Sequence, residues 1–244
     1  MVSSYQFSVW TIFVPAVVLT IATSAIGDDS ATRPVHERVD EVVESGFGTA
    51  RPAPICDDSE FLRRISLDLT GTIPNSTRVR TFIADATSGK RERIVDDQLA
   101  SPEWPRRMAD LFHVILMERR GDDPDWQKWL EASFAQNKPW NQIVYQILNA
   151  DADDEDNRAA AYFMSKRLDK YGQNPVDYPG LVRDIGRMFL GKDLQCAECH
   201  DHLFIDEYKQ LDFQGLLAVY KNTFVRRDVK FPAVGEKAMT VPVE

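Results

Sequence analysis

A chain of 244 residues is long enough for one substantial hydrophobic core. Its 43% apolar and 27% charged residues are the balance of an ordinary globular fold. A formal net charge of −9 gives no attraction for nucleic acid or for an anionic lipid surface, so neither is expected as a partner.

Residues 1–27, MVSSYQFSVWTIFVPAVVLTIATSAIG, carry no charged side chain. An apolar run from Val9 to Ala22 leads into small residues, with Ala25 and Gly27 just before Asp28. This predicts a secretory signal cleaved after Gly27 or Ala25, and hence a periplasmic or cell-surface protein. The segment before the apolar run lacks Lys and Arg, so an uncleaved N-terminal membrane anchor is the alternative. Residues 28–57 are rich in Asp, Arg, Pro and Gly and read as a linker with one short helix, VHERVDEVVESG.

From Asp58 onward a helical period dominates, and residues 58–224 are expected to form a mostly α, multi-helix domain. The first helix opens on Asp and Ser, places Phe61, Leu62, Ile65 and Leu69 on one face and stops at Gly71. A second follows Pro74 and Asn75 and runs through Val79, Phe82 and Ile83, and a third spans KRERIVDDQLASP. A longer helix from Trp104 to Arg119 is expected to turn Met108, Leu111, Phe112 and Ile115 inward. Asp123 and Pro124 then start a helix carrying Trp126, Trp129, Leu130 and Phe134. Pro139 opens one with Ile143, Val144, Ile147 and Leu148 inward. Further helices are expected near 158–169, 177–190 and 207–221, and a short tail at 225–244 reads as extended.

The stretch LQCAECHDHLF, residues 194–204, carries the chemistry. Cys196, Cys199 and His200 form C-x-x-C-H, the pattern in which two thiols attach a c-type haem and the adjacent His ligates its iron. That attachment takes place outside the cytoplasm, in keeping with the leader. The motif uses two of three cysteines and one of four histidines. Two other chemistries fit the same residues. Cys196, Cys199, His200 or His202 could ligate a tetrahedral zinc. The cysteines could also form a redox or inert disulfide, although no thioredoxin-like βαβ pattern surrounds them. His202 lies too close to His200 to reach the opposite side of the same ring. It is assigned a supporting place beside the site, or that of an alternative metal ligand.

Other candidates read as structural. His113, within DLFHVILM, is expected to be a hydrogen-bonded histidine at the core boundary, and His36 to be solvated. Met164 and Met188 read as core, Cys56 as a small partly buried residue, and the tryptophans as core or boundary. The acidic run DADDEDN lacks the Gly and Glu of a calcium loop and reads as solvated. No G-x-S-x-G, H-E-x-x-H, P-loop or Rossmann glycine pattern occurs, so the chain is not expected to be an enzyme by itself.

Four stretches in order, DDSEFLRRISLDLTGTIPNSTRVRTFIAD, KRERIVDDQLASPEW, NKPWNQIVYQILNAD and GRMFLGKDLQCAECHDHLFIDEYKQLDFQGLLAVY, resemble the planctomycete cytochrome-like domain family, a family of unknown function. The resemblance covers residues 58–224. It implies an exported protein in which Cys196, Cys199 and His200 are the C-x-x-C-H, and His202 matches the family's Cys-His-Asp-His stretch. Ile205 intervenes between Phe204 and Asp206 where the family sets an acid directly after Phe, so no role is carried to Asp206. Members usually continue into a second large domain, which makes residues 225–244 the expected start of one. Motif and resemblance together predict a protein with one haem c, or zinc as the alternative. It would act in electron transfer or redox support of a protein partner, or as a non-haem interaction module.

Overall fold

The computed structural model describes residues 33–170 and 172–237. The expected leader lies outside the described residues. Among those described, no helix is long and apolar enough to cross a membrane. The chain divides at Ile55 into two compact units. The first contains α1 (Val35–Gly46), the helix expected within 28–57. None of its residues is buried, and His36 is exposed as anticipated.

The second unit is helical, with α2 (Asp58–Thr70), α3 (Ser76–Ala84), α4 (Lys90–Leu99), α5 (Glu103–Met117), α6 (Pro124–Ala135), α7 (Trp140–Leu148), α8 (Tyr162–Arg167), α9 (Tyr178–Phe189) and α10 (Gln210–Tyr220). Local chemistry sets the boundaries. The Asp57 carboxylate accepts from the Glu60 amide at the start of α2, Asn75 accepts from Arg78 at α3, and Asp123 accepts from two amides at α6. Helix α2 ends at Gly71 in the left-handed region, φ 72°.

Most of the core lies among α5 to α9. Leu116 and Met117 of α5, Trp126 and Leu130 of α6, Ile143 and Ile147 of α7, Phe163 and Met164 of α8, and Leu181 and Ile185 of α9 are buried together. The α5–α6 pairing is the most extensive in the molecule. Ahead of it, α2 packs on α3, α4 and α5. Gln98 Nε2 donates to Ser66 Oγ at 2.9 Å in that packing, and Asp58 pairs with Lys90 and Arg91.

Two inward assignments are corrected. Leu111 and Ile115 of α5 are exposed. Helix α5 instead turns Ala109, Leu116 and Met117 into the core, because α6 and α8 approach it from a different side than the apolar stripe suggested. The helix expected at 158–169 is a 3₁₀ turn, Arg158–Ala161, running into the short α8. The described part of the expected tail takes part in a β-hairpin. β1 (Thr223–Val225) pairs antiparallel with β2 (Val234–Glu236), so the boundary at 224 falls inside a strand. Val225 and Val234 pack against the main core and Ala233 is buried.

A buried ion pair ties α8 to α9. The Arg167 side chain is 1% exposed; its Nε donates to Asp184 Oδ2 at 2.8 Å and its Nη2 to the Leu116 carbonyl at 2.7 Å. Arg120 and Arg187 also reach Asp184. Burial, opposed by Asp184, lowers the Arg167 pKa to about 10, so the group is still charged at neutral pH. Arg167→Ala removes the donor to both Asp184 and Leu116. It is expected to cost about 3 kcal/mol, the low end for a broken buried pair because Asp184 keeps two other arginines. Urea unfolding of the variant measures this.

Candidate functional site at the C-x-x-C-H turn

Helix α9 and the turn after it build the site. After Phe189 the chain reverses at Gly191 and returns along α9, and a single 3₁₀ turn covers Cys196–Glu198. Leu194 and Ala197, three residues apart, are buried against Val182 of α9 and Phe213 of α10. Leu194, just before the turn, and Ala197 within it are anchored, while Cys196 and Cys199 stay at the surface. Both cysteines are exposed and unpaired with each other. Arg183 of α9 pairs with Glu198 and holds the turn from the other direction.

The approach of this segment depends on Gly186. Lys192 N–H donates to the Gly186 carbonyl at 2.9 Å. A Cβ at this position would meet Leu194 Cδ1 at 2.8 Å and the Lys192 carbonyl at 2.9 Å. Only a residue without a side chain admits both contacts.

The two histidines of the motif have opposite roles. The amides of Cys199 and His200 both donate to the Cys196 carbonyl at 3.2 Å, closing the turn. His200 is exposed, and its Nδ1 lies 2.6 Å from the Asp201 carbonyl oxygen. A carbonyl oxygen only accepts, so Nδ1 carries the hydrogen and the neutral ring presents a bare lone pair at Nε2. His202 is reversed. Its Nδ1 accepts from the amides of Ile205 at 3.0 Å and Phe204 at 3.2 Å, which places the hydrogen of its neutral ring on Nε2. Its own amide donates to the Tyr208 carbonyl. In this conformation His202 closes the loop over residues 202–208 and has no free lone pair to offer a metal.

Helix α10 receives the end of the motif. Gln210 Nε2 donates to the Cys199 carbonyl at 2.9 Å, and the Gln210 amide donates to Asp201 Oδ1 at 2.8 Å. Lys209 stands 3.4 Å from the other Asp201 oxygen. The Gln210 amide first, then Lys209, holds the Asp201 carboxyl below its usual range. Lys192 does the same for Asp212, at 3.0 Å. Beside the turn the apolar side chains of Leu203, Phe204 and Leu211 are 75%, 90% and 79% exposed.

The remaining candidates lie in other settings. His113 Nδ1 accepts from Trp126 Nε1 at 3.1 Å and its Nε2 faces Asp122 at 2.9 Å, the hydrogen-bonded boundary histidine that was expected. Met164 is buried, and Met188 packs against the core with its sulfur 3.6 Å from Arg167. Cys56 is half-buried. Asp151 and residues 153–156 are exposed. Among the described residues no three His, Cys, Asp or Glu side chains converge as a metal site would require.

Residues 38–224 match the family model PSCyt2, described as a protein of unknown function (DUF1549). The chain belongs to this family. The match begins within α1 and ends in β1, so it takes in the whole PSCyt2 motif turn and both helices that carry it. No curated protein and no solved structure matches the chain.

Sequence reading missed Asp201, Gln210, Arg183 and Gly186 as contributors to this PSCyt2 site. Gly186 had a faint signal, a glycine on the apolar face of a helix. Gly186→Ala gains about 1 kcal/mol of helix propensity but meets a backbone carbonyl, which costs about 1–3 kcal/mol. Net loosening of residues 190–204 is expected, seen as faster hydrogen exchange there with the α5–α6 core unchanged. The lowered Asp201 pKa stabilises the fold above the ordinary carboxylate range, and that stability is lost as the pH falls through the lowered folded value. Protection of the Gln210 amide should therefore fall in that acid window before core protection does.

Proposed function

We propose that the protein is exported and holds one c-type haem through Cys196 and Cys199, with His200 Nε2 as axial ligand, serving electron transfer or redox support of a protein partner. The observation that carries the reading is the His200 hydrogen bond. Donation from Nδ1 to the Asp201 carbonyl leaves Nε2 as the neutral, bare nitrogen that iron ligation uses. Two further features fit. Both thiols are unpaired and exposed. The exposed Leu203, Phe204 and Leu211 would lose contact with water against an apolar macrocycle.

When bound, haem supplies one-electron redox chemistry at its iron. The protein's part begins with the thiols. Cys196 and Cys199 would hold the group through two thioether bonds, each formed by addition of S–H across a vinyl group, so that no atom would be lost and no oxidant consumed. His200 then offers Nε2 while the Asp201 carbonyl holds the hydrogen on Nδ1. His202, engaged by two amides, keeps the following loop closed. A zinc reading is less well supported, because four donors must converge on one point and the motif side chains do not form such a group.

The test is protein made in an exporting host with haem-attachment machinery. A Soret band, haem stain surviving denaturation and an intact mass raised by one haem are expected. The Cys196→Ser, Cys199→Ser double variant should be colourless and should not stain. A colourless wild-type protein with two free thiols at the motif, or with one equivalent of zinc and no iron, would overturn the proposal.

A further inference from the structure

We infer that Asp201 and Gln210 form a positioning clamp that holds the His200 ring in the tautomer with a bare Nε2. The purpose assigned to the clamp rests on the haem reading above, while its geometry does not. Gln210 makes two hydrogen bonds that bracket His200. Its side chain donates to the carbonyl of Cys199, the residue before, and its amide donates to the carboxylate of Asp201, the residue after. The peptide unit before His200 and the side chain of Asp201 are thereby fixed against the start of α10. The Asp201 carbonyl, in the peptide unit that joins Asp201 to His202, faces His200 Nδ1 at 2.6 Å.

The arrangement needs both residues. Lys209, at the N-cap position of α10, has no side-chain acceptor for the first amides of the helix. Asp201, nine residues before Gln210, supplies that acceptor through space, and Lys209 adds its charge to the same carboxylate. The acid that caps α10 is therefore the residue whose carbonyl sets the His200 tautomer. Without the clamp the 199–201 segment loses two ties to α10, and what still restrains the Asp201 carbonyl is the bond of the next amide, His202 N–H to the Tyr208 carbonyl.

The experiment uses the thiol form of the protein without haem, labelled with ¹⁵N-histidine, near pH 8 where free imidazole is neutral. Two-bond nitrogen–proton spectra report the tautomer of each ring. In the wild type His200 should be Nδ1–H and His202 Nε2–H, opposite patterns in one spectrum. Gln210→Glu, isosteric but unable to donate to the Cys199 carbonyl, and Asp201→Ala should both shift His200 toward Nε2–H. Asp201→Asn keeps an acceptor for the Gln210 amide and should retain the wild-type pattern. An unchanged His113 signal reports that the core is folded.

If His200 stays Nδ1–H in both Gln210→Glu and Asp201→Ala, the clamp is refuted. Should Asp201→Ala also disturb His113, Gln210→Glu alone decides. Because the tautomer is read without haem, a protein that shows the expected shifts yet forms no Soret band refutes the haem reading and leaves the clamp standing.

Discussion

Arg167 and Asp184 meet where α5, α8 and α9 converge, and the position of α9 follows from that contact. The guanidinium joins the α5 carbonyl of Leu116 to the α9 carboxylate, with the Phe163 ring of α8 beneath it at 3.7 Å. A charge this deeply buried requires partners on several sides, so the three elements cannot shift independently. Helix α9 is thereby fixed on one side against the main core through Leu181 and Ile185. Its neighbours Val182 and Gly186 take the motif segment.

The site is thus built outward from a rigid helix in short steps. Leu194 and Ala197 hold the turn down, Arg183 holds Glu198, and α10 holds Cys199 and Asp201 from the far end. What remains uncovered is the set of groups that a haem would engage: two thiols, one imidazole nitrogen and three large apolar side chains. The contrast between the two histidines follows from their partners. A carbonyl beside His200 requires a hydrogen on Nδ1, and two amides beside His202 forbid one there. Residues separated by a single position are thereby set to different work, one to present a lone pair and the other to close a loop.

Membership of the PSCyt2 family covers the fold and the motif together, and the family carries no established activity. The chemical argument for this chain therefore stands on the geometry of Cys196, Cys199 and His200. Leu203, Phe204 and Leu211 are exposed beside that site.

The helices and the motif were legible in the sequence because both are local properties. Capping residues such as Asp57, Asn75 and Asp123 act within one turn of where they stand, and the spacing of Cys196, Cys199 and His200 needs no distant residue. The inward face of α5 was only half legible. Leu111 and Ile115 have the right period, but which side of an apolar helix is covered depends on where its neighbours arrive. The hairpin at 223–236 was visible only as extended chain, since its pairing is a contact between segments. The tautomers of His200 and His202 rest on backbone groups within three residues, but on a loop conformation that spacing does not encode. The tight fit over Gly186 and the reach of Asp201 to α10 were decided by tertiary structure alone, because each depends on where another segment of the chain comes to rest.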